Sequence, residues 1–97
     1  MTKEELREIV NNWDNFSADE QEDFCNDIEY DYSDIIFTGI VEASEYYITT
    51  QVVFELDDKL YAIDIKRVTG DDPAVVGYPS IYEVVPKSYT VIKYVRV

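Results

Sequence analysis

Carboxylates are the chemistry this sequence holds in abundance. Asp19, Glu20, Glu22 and Asp23 crowd five positions, and Asp27, Glu29, Asp31 and Asp34 follow at short intervals. Such residues can do three things. As pairs they serve acid–base and glycoside chemistry, which also needs a cleft to hold the substrate. As clusters with a glycine at the sixth loop position and a glutamate at the twelfth they bind calcium. As an array they present negative charge at a regular spacing. A two-layer body of 97 residues encloses little, so no catalytic residue and no enzymatic activity are expected. Counted from Asp27 the sixth residue is Tyr32, and from Asp14 it is Asp19, so neither register supplies the EF-hand glycine and no metal site is expected. The array remains.

Other reactive residue types are scarce. The chain has no histidine, which removes imidazole catalysis and histidine-ligated zinc. Its one cysteine, Cys25, sits among acids that disfavour a thiolate and on an apolar stripe, so a structural role is expected. A lone cysteine also fits a reducing compartment, and Met1–Glu8 lacks the apolar core of a secretory signal. A cytoplasmic location follows, and no apolar run approaches the ~20 residues of a membrane span. Gly39, Gly70 and Gly77 lie too far apart for a phosphate-cradling loop, so no cofactor is expected.

The charge is strongly polarised. Of 21 acids, 17 precede Lys59, against two bases, Lys3 and Arg7; that half carries −15 and the remainder +2. Like charge at this density opposes folding, whereas simple solubility would be served by mixed signs. Direct nucleic-acid binding is disfavoured by sign, since phosphate affinity comes from Lys and Arg. The opposite role fits. DNA carries one charge per ~1.7 Å of axis. Carboxylates two apart on a strand lie about 6.7 Å from each other, and those three or four apart on a helix about 5–6 Å. The expected partner-binding set is Asp19, Glu20, Glu22, Asp23, Asp27, Glu29, Asp31 and Asp34. Tyr30 and Tyr32 are interleaved as aromatic anchors that substitute for stacked bases, although tyrosine also suits ordinary sheet surfaces.

The elements that must position these groups are legible in the patterning. Thr2 with Glu5 and Ser17 with Glu20 read as capping boxes. The first opens a helix with Leu6, Ile9, Val10 and Trp13 on one face, and the second a helix with Phe24, Cys25 and Ile28. Asp14-Asn15-Phe16 joins them as an αα-hairpin. Over Asp27–Asp34 the period turns to alternation, so either the helix frays or an extended acidic segment begins. Strands follow at Ile35–Ala43, Tyr46–Leu56 and Lys59–Arg67, turning at Ser44-Glu45 and Asp57-Asp58. Gly39 marks a bulge or close approach within the first. Thr69–Ser80 is a loop, and Ile81–Val85 with Tyr89–Val97 forms a final hairpin about Pro86-Lys87. The expected fold is α+β: one domain over 1–97, with a helical hairpin at 1–29 packed on a mostly antiparallel sheet of about five strands at 35–97.

The stretch Lys59-Leu-Tyr-Ala-Ile-Asp-Ile-Lys-Arg67 and the ending Tyr82-Glu-Val-Val-Pro-Lys-Ser-Tyr-Thr-Val-Ile-Lys-Tyr-Val-Arg-Val97 resemble the C-terminal third of small phage and prophage proteins. In size and acidity the chain is similar to phage anti-defence proteins, the anti-CRISPR and anti-restriction DNA mimics. That resemblance implies stoichiometric inhibition of a basic host nuclease, with an RNA-guided nuclease as first target and a restriction enzyme as second. Two other functions compete. An immunity or antitoxin-like protein would neutralise a cationic toxin through the same surface. A nucleotide-sequestering module would instead converge Lys66, Arg67 and Arg96 on a pocket.

Overall fold

A computed structural model describes residues 1–31, 35–70, 74–77, 79–87 and 94–97. Helix α1 (Lys3–Asn11) starts where the Thr2 side chain accepts the Glu5 N–H at 3.2 Å. It ends at Asn12, whose backbone N–H and side-chain amide both donate to Glu8 O at 3.0 Å. The Asn11-Asn12 pair thus stops the helix before Trp13, which the apolar period had placed on it. Trp13 lies in a 3-10 turn, Trp13–Asn15, and is buried all the same. Helix α2 (Ala18–Asn26) carries the full capping box, Ser17 Oγ accepting from Glu20 N and Glu20 Oε1 from Ser17 N.

The chain then neither frays nor extends. It continues as a π-helical turn, Asp27–Asp31, with Ile28 fully buried and Tyr30 68% exposed. A strand would have put Ile28 and Tyr30 on one face, so the alternating-strand geometry expected over Asp27–Asp34 is overturned for Asp27–Asp31. The helical path wins because it keeps Ile28 on the stripe begun by Phe24 and Cys25. Tyr32, Ser33 and Asp34 lie outside the described residues.

Strands β1 (Ile35–Ala43), β2 (Tyr47–Leu56), β3 (Lys59–Val68) and β4 (Ile81–Val84) form an antiparallel sheet in the order β1-β2-β3-β4. The fold is α+β, with four strands among the described residues rather than about five. Most of the expected fifth, 88–93, lies outside them, and 94–97 form no strand. Asp57 and Asp58 both take positive φ, 52° and 63°, the paired left-handed conformation of a two-residue hairpin turn whose twist matches the strands. Beyond β3 the chain doubles back, with Val68 N donating to Ala74 O and Val76 N to Lys66 O.

The helices cover one face of the sheet. Leu6, Trp13, Phe24, Cys25 and Ile28 pack on Val52, Phe54, Leu56, Ile63 and Ile65 in a single core. Trp13 meets Phe24 edge-on, ring centroids 5.3 Å apart, and its Nε1–H donates to Pro79 O at 2.9 Å. One indole thereby joins both helices to the segment entering β4.

Candidate functional site: an acidic helical groove

Helix α2 sorts its acids by direction. Burial of Phe24, Cys25 and Ile28 turns the remaining side chains into three positions around the helix. Asp19, Asp23 and Asp27 follow one another at i, i+4 and i+8 and are all exposed. Glu20 flanks them on the side of α1; Glu22 and Glu29 fall on the other flank, half-buried.

On the α1 side the acids rim a groove of about 220 Å³, lined by Ile9, Phe16, Glu20, Asp23, Phe24 and Asp27. An adjoining depression of about 290 Å³ shares Ile9 and Asp27 and adds Met1 and Glu5. The floor is apolar and the rim anionic. That pairing accommodates a Lys or Arg side chain, whose methylene stem covers apolar surface while its head stays wet. Glu5 belongs to the rim although the sequence marked it only as a capping residue; the approach of two helices carries no local signal. Glu20 is held below the usual carboxylate range, first by the Ser17 backbone N–H and then by the Ser17 hydroxyl, so it is anionic throughout the physiological range.

The N-terminal bases do not neutralise this rim. Arg7 reaches the β2–β3 turn, where Nε and Nη2 each meet an Asp57 carboxylate oxygen at 2.7 Å. That fork holds Asp57 well below the ordinary aspartate range, and Lys3 adds to the effect. Among the described residues the ion pairs engage Asp57, Glu83 and Glu29, and none engages Asp19, Glu20, Glu22, Asp23 or Asp27.

Glu29 departs from its expected role. It pairs with Arg67, whose side chain is only 9% exposed, and Arg67 Nη2 also donates to Asn26 Oδ1 at 2.9 Å. The guanidinium lies 5.5 Å from the Tyr30 ring. Glu29 is therefore a half-buried ion-pair partner of Arg67 and not a free surface carboxylate, and Tyr30 is in part a lid on that pair. Arg67 sits at an inward position of β3 and Lys66 at an outward one, against the Tyr47 ring at 4.5 Å. Strand alternation thus sends the two bases to opposite faces, where they cannot converge on one ligand. The spacing of Arg67 and Glu29, 38 residues apart, gave no cue to their meeting.

Cys25 is buried, and burial pushes its thiol up to about 11, with Glu29 and Glu22 adding to and Arg67 opposing the shift. Native protein is expected to leave Cys25 unmodified by a thiol-specific disulfide reagent at pH 8 and to titrate one thiol on denaturation. Fast reaction of the folded protein would contradict this placement.

The sheet face opposite the helices holds a second polar group. Gln51 Nε2–H donates to Tyr82 Oη at 2.9 Å, and Tyr82 donates to Asp64 Oδ1 at 3.0 Å. Burial, with Asp64 beside it, raises the Tyr82 phenol above its ordinary value. This chain of bonds ties β2, β3 and β4 across the face opposite the helices.

Among the described residues no helix is long and apolar enough to cross a membrane. Comparisons with protein-family models, with curated proteins and with solved structures give no match to this chain.

Proposed function

We propose that this protein is a stoichiometric inhibitor, not an enzyme, that binds a basic nucleic-acid-handling protein in place of its nucleic acid. The observation that carries the reading is the rim of Glu20, Asp23 and Asp27, unpaired among the described residues, above the apolar floor of Ile9, Phe16 and Phe24, with exposed Asp19 one turn further along α2. Carboxylates one helical turn apart present charge at about the spacing a cationic channel meets along a phosphate backbone. The apolar floor adds a place for the stem of one inserted Arg or Lys. Long-range attraction by a chain of charge −13 hastens encounter with such a channel. The phage anti-defence resemblance makes an RNA-guided nuclease in a bacterial cytoplasm the first target, since these enzymes hold nucleic acid in positively charged channels. A cationic toxin would use the same groove, whereas the opposed directions of Lys66 and Arg67 leave nothing to favour a nucleotide-sequestering module.

The test is direct binding to purified RNA-guided nuclease, restriction enzyme and cationic toxin across a salt series, with duplex DNA as competitor. Binding to a nuclease is expected to weaken with salt and to be displaced by DNA. The variant D19N/E20Q/E22Q/D23N should bind about tenfold to hundredfold more weakly. Its melting temperature should be equal or higher, because self-repulsion is relieved and Gln at position 20 preserves the capping box. Undiminished affinity in that variant would move the interface away from α2.

A further inference from the structure

The two edges of the sheet are built differently. At the β4 edge the strand is four residues long, the preceding Pro79 is anchored to Trp13, and residues 74–76 already pair with β3. These are the usual ways an edge is blunted. The other edge, β1, has nine residues and, among the described residues, pairs only with β2. From Ile35 to Val41 it carries neither charge nor proline. Ile36, Phe37, Ile40 and Val41 are 52%, 50%, 65% and 54% exposed, on both faces of the strand. The register shifts between Ile35 and Phe37 and between Ile40 and Glu42 leave Ile36 and Val41 without opposite residues on β2. Between these bulges, Phe37–Ile40 runs in unbroken register against Val53–Thr50.

We propose that β1 is a strand-addition site that accepts an extended polypeptide segment with a β-branched, apolar centre and Lys or Arg at both ends. The open edge offers main-chain hydrogen bonds, and the exposed apolar side chains offer contacts on alternate faces. The ends of the segment are set by charge. At one end of β1 lie exposed Glu42, within the strand, and Glu45, just past it; beside the other end lie Glu55, next to the residue opposite Ile35, and Asp58 of the β2–β3 turn, both exposed. A neutral centre framed by acids selects a neutral centre framed by bases. The same frame disfavours a second copy of this chain. Antiparallel pairing of β1 with β1 would bring Glu42 and Glu45 of each copy toward the end of the other sheet that carries Glu55 and Asp58, and this gathering of like charge opposes it. The proposal rests on the inhibitor reading only for the partner being basic, and its surface is separate from the α2 groove.

The test uses a fluorescein-labelled peptide, Lys-Lys-Val-Thr-Val-Thr-Val-Lys-Lys, followed by anisotropy and by amide exchange of the ¹⁵N-labelled protein. Saturable binding with new exchange protection in residues 36–41 is expected. A peptide with Glu replacing every Lys should bind about tenfold more weakly or worse. A peptide N-methylated on alternate residues, with charge unchanged, should lose binding because it cannot complete the ladder. The variant I40K/V41K, altered only at exposed positions, should lose binding with an unchanged melting temperature. D19N/E20Q/E22Q/D23N should retain it, so loss of nuclease binding with retained peptide binding would separate the two surfaces. Equal binding of the methylated peptide, no binding of any peptide, protection confined to α2 or β4, or a wild-type dimer that I40K/V41K dissociates would each overturn the proposal.

Discussion

Replacing Arg67 with Ala is expected to cost about 3–5 kcal/mol of folding stability, as is replacing Glu29 with Ala, measured by urea unfolding followed by circular dichroism. Both side chains are largely withdrawn from water, at 9% and 15% exposed. Removing one partner leaves the other charge buried without its counter-charge, and that penalty exceeds the value of the contact itself. In a domain whose whole stability is of order 5–15 kcal/mol, a loss of this size brings unfolding close to ambient temperature. The control is the double variant R67M/E29L, which removes both charges and keeps volume. It should recover most or all of the loss, since a well-packed apolar pair is often as stable as a buried ion pair. Single variants within 1 kcal/mol of the parent would mean that water reaches the pair freely.

Trp13→Ala should cost a similar ~3–5 kcal/mol, the usual range for truncating a buried aromatic. The indole is 7% exposed, stacks edge-on against Phe24, and donates to Pro79 O. Its loss opens a cavity between the helices and strips the partner from a carbonyl that fixes the entry to β4. Trp13→Phe separates these contributions. It keeps a ring against Phe24 but no N–H, so a smaller loss of about 1–3 kcal/mol is expected. Because Trp13 is the sole tryptophan, both variants must be followed by far-ultraviolet dichroism. Amide exchange should show Ser80 and β4 opening before the β2–β3 hairpin in the Ala variant. Uniform loss of protection would argue that the indole merely fills space.

Burial of Arg67 and Glu29 also explains how the acidic half folds despite its charge. Two of the chain's eight bases, Arg7 and Arg67, meet acids across 50 and 38 residues of sequence. Arg7 ties α1 to the β2–β3 turn, and Arg67 ties the π-helical turn to β3. Attraction is thus spent at the joints between helix and sheet, and the α2 rim keeps its field. Asp57 illustrates the sign of the coupling. Its pKa lies below that of the unfolded chain, so the fork contributes fully above the ordinary aspartate range and is lost as pH falls through the folded value.

Local chemistry was enough to establish much of this molecule. Capping residues at Thr2 and Ser17, the apolar periods behind them, the bounds of β1 and the Asp57-Asp58 turn all follow from interactions spanning a few residues. The crowding of acids on α2, and its outward face, are likewise consequences of a 3.6-residue repeat with Phe24, Cys25 and Ile28 on the inner side. Tertiary structure decided the rest. Alternating polarity over Asp27–Asp31 is equally compatible with a strand, and only burial of Ile28 against the sheet selects the π-helical turn. The equivalent-looking acids Asp19, Glu20, Glu22, Asp23, Asp27 and Glu29 became separate populations because Arg67 drew Glu29 inward while α1 brought Glu5 toward Asp27. Ile36, Phe37, Ile40 and Val41 of β1 are of types common in cores, yet the tertiary structure leaves them exposed at the sheet edge. Sequence period reports which way a side chain points along its own element. What stands opposite is set by chain segments dozens of residues away, and that is where pairing, burial and the open edge are determined.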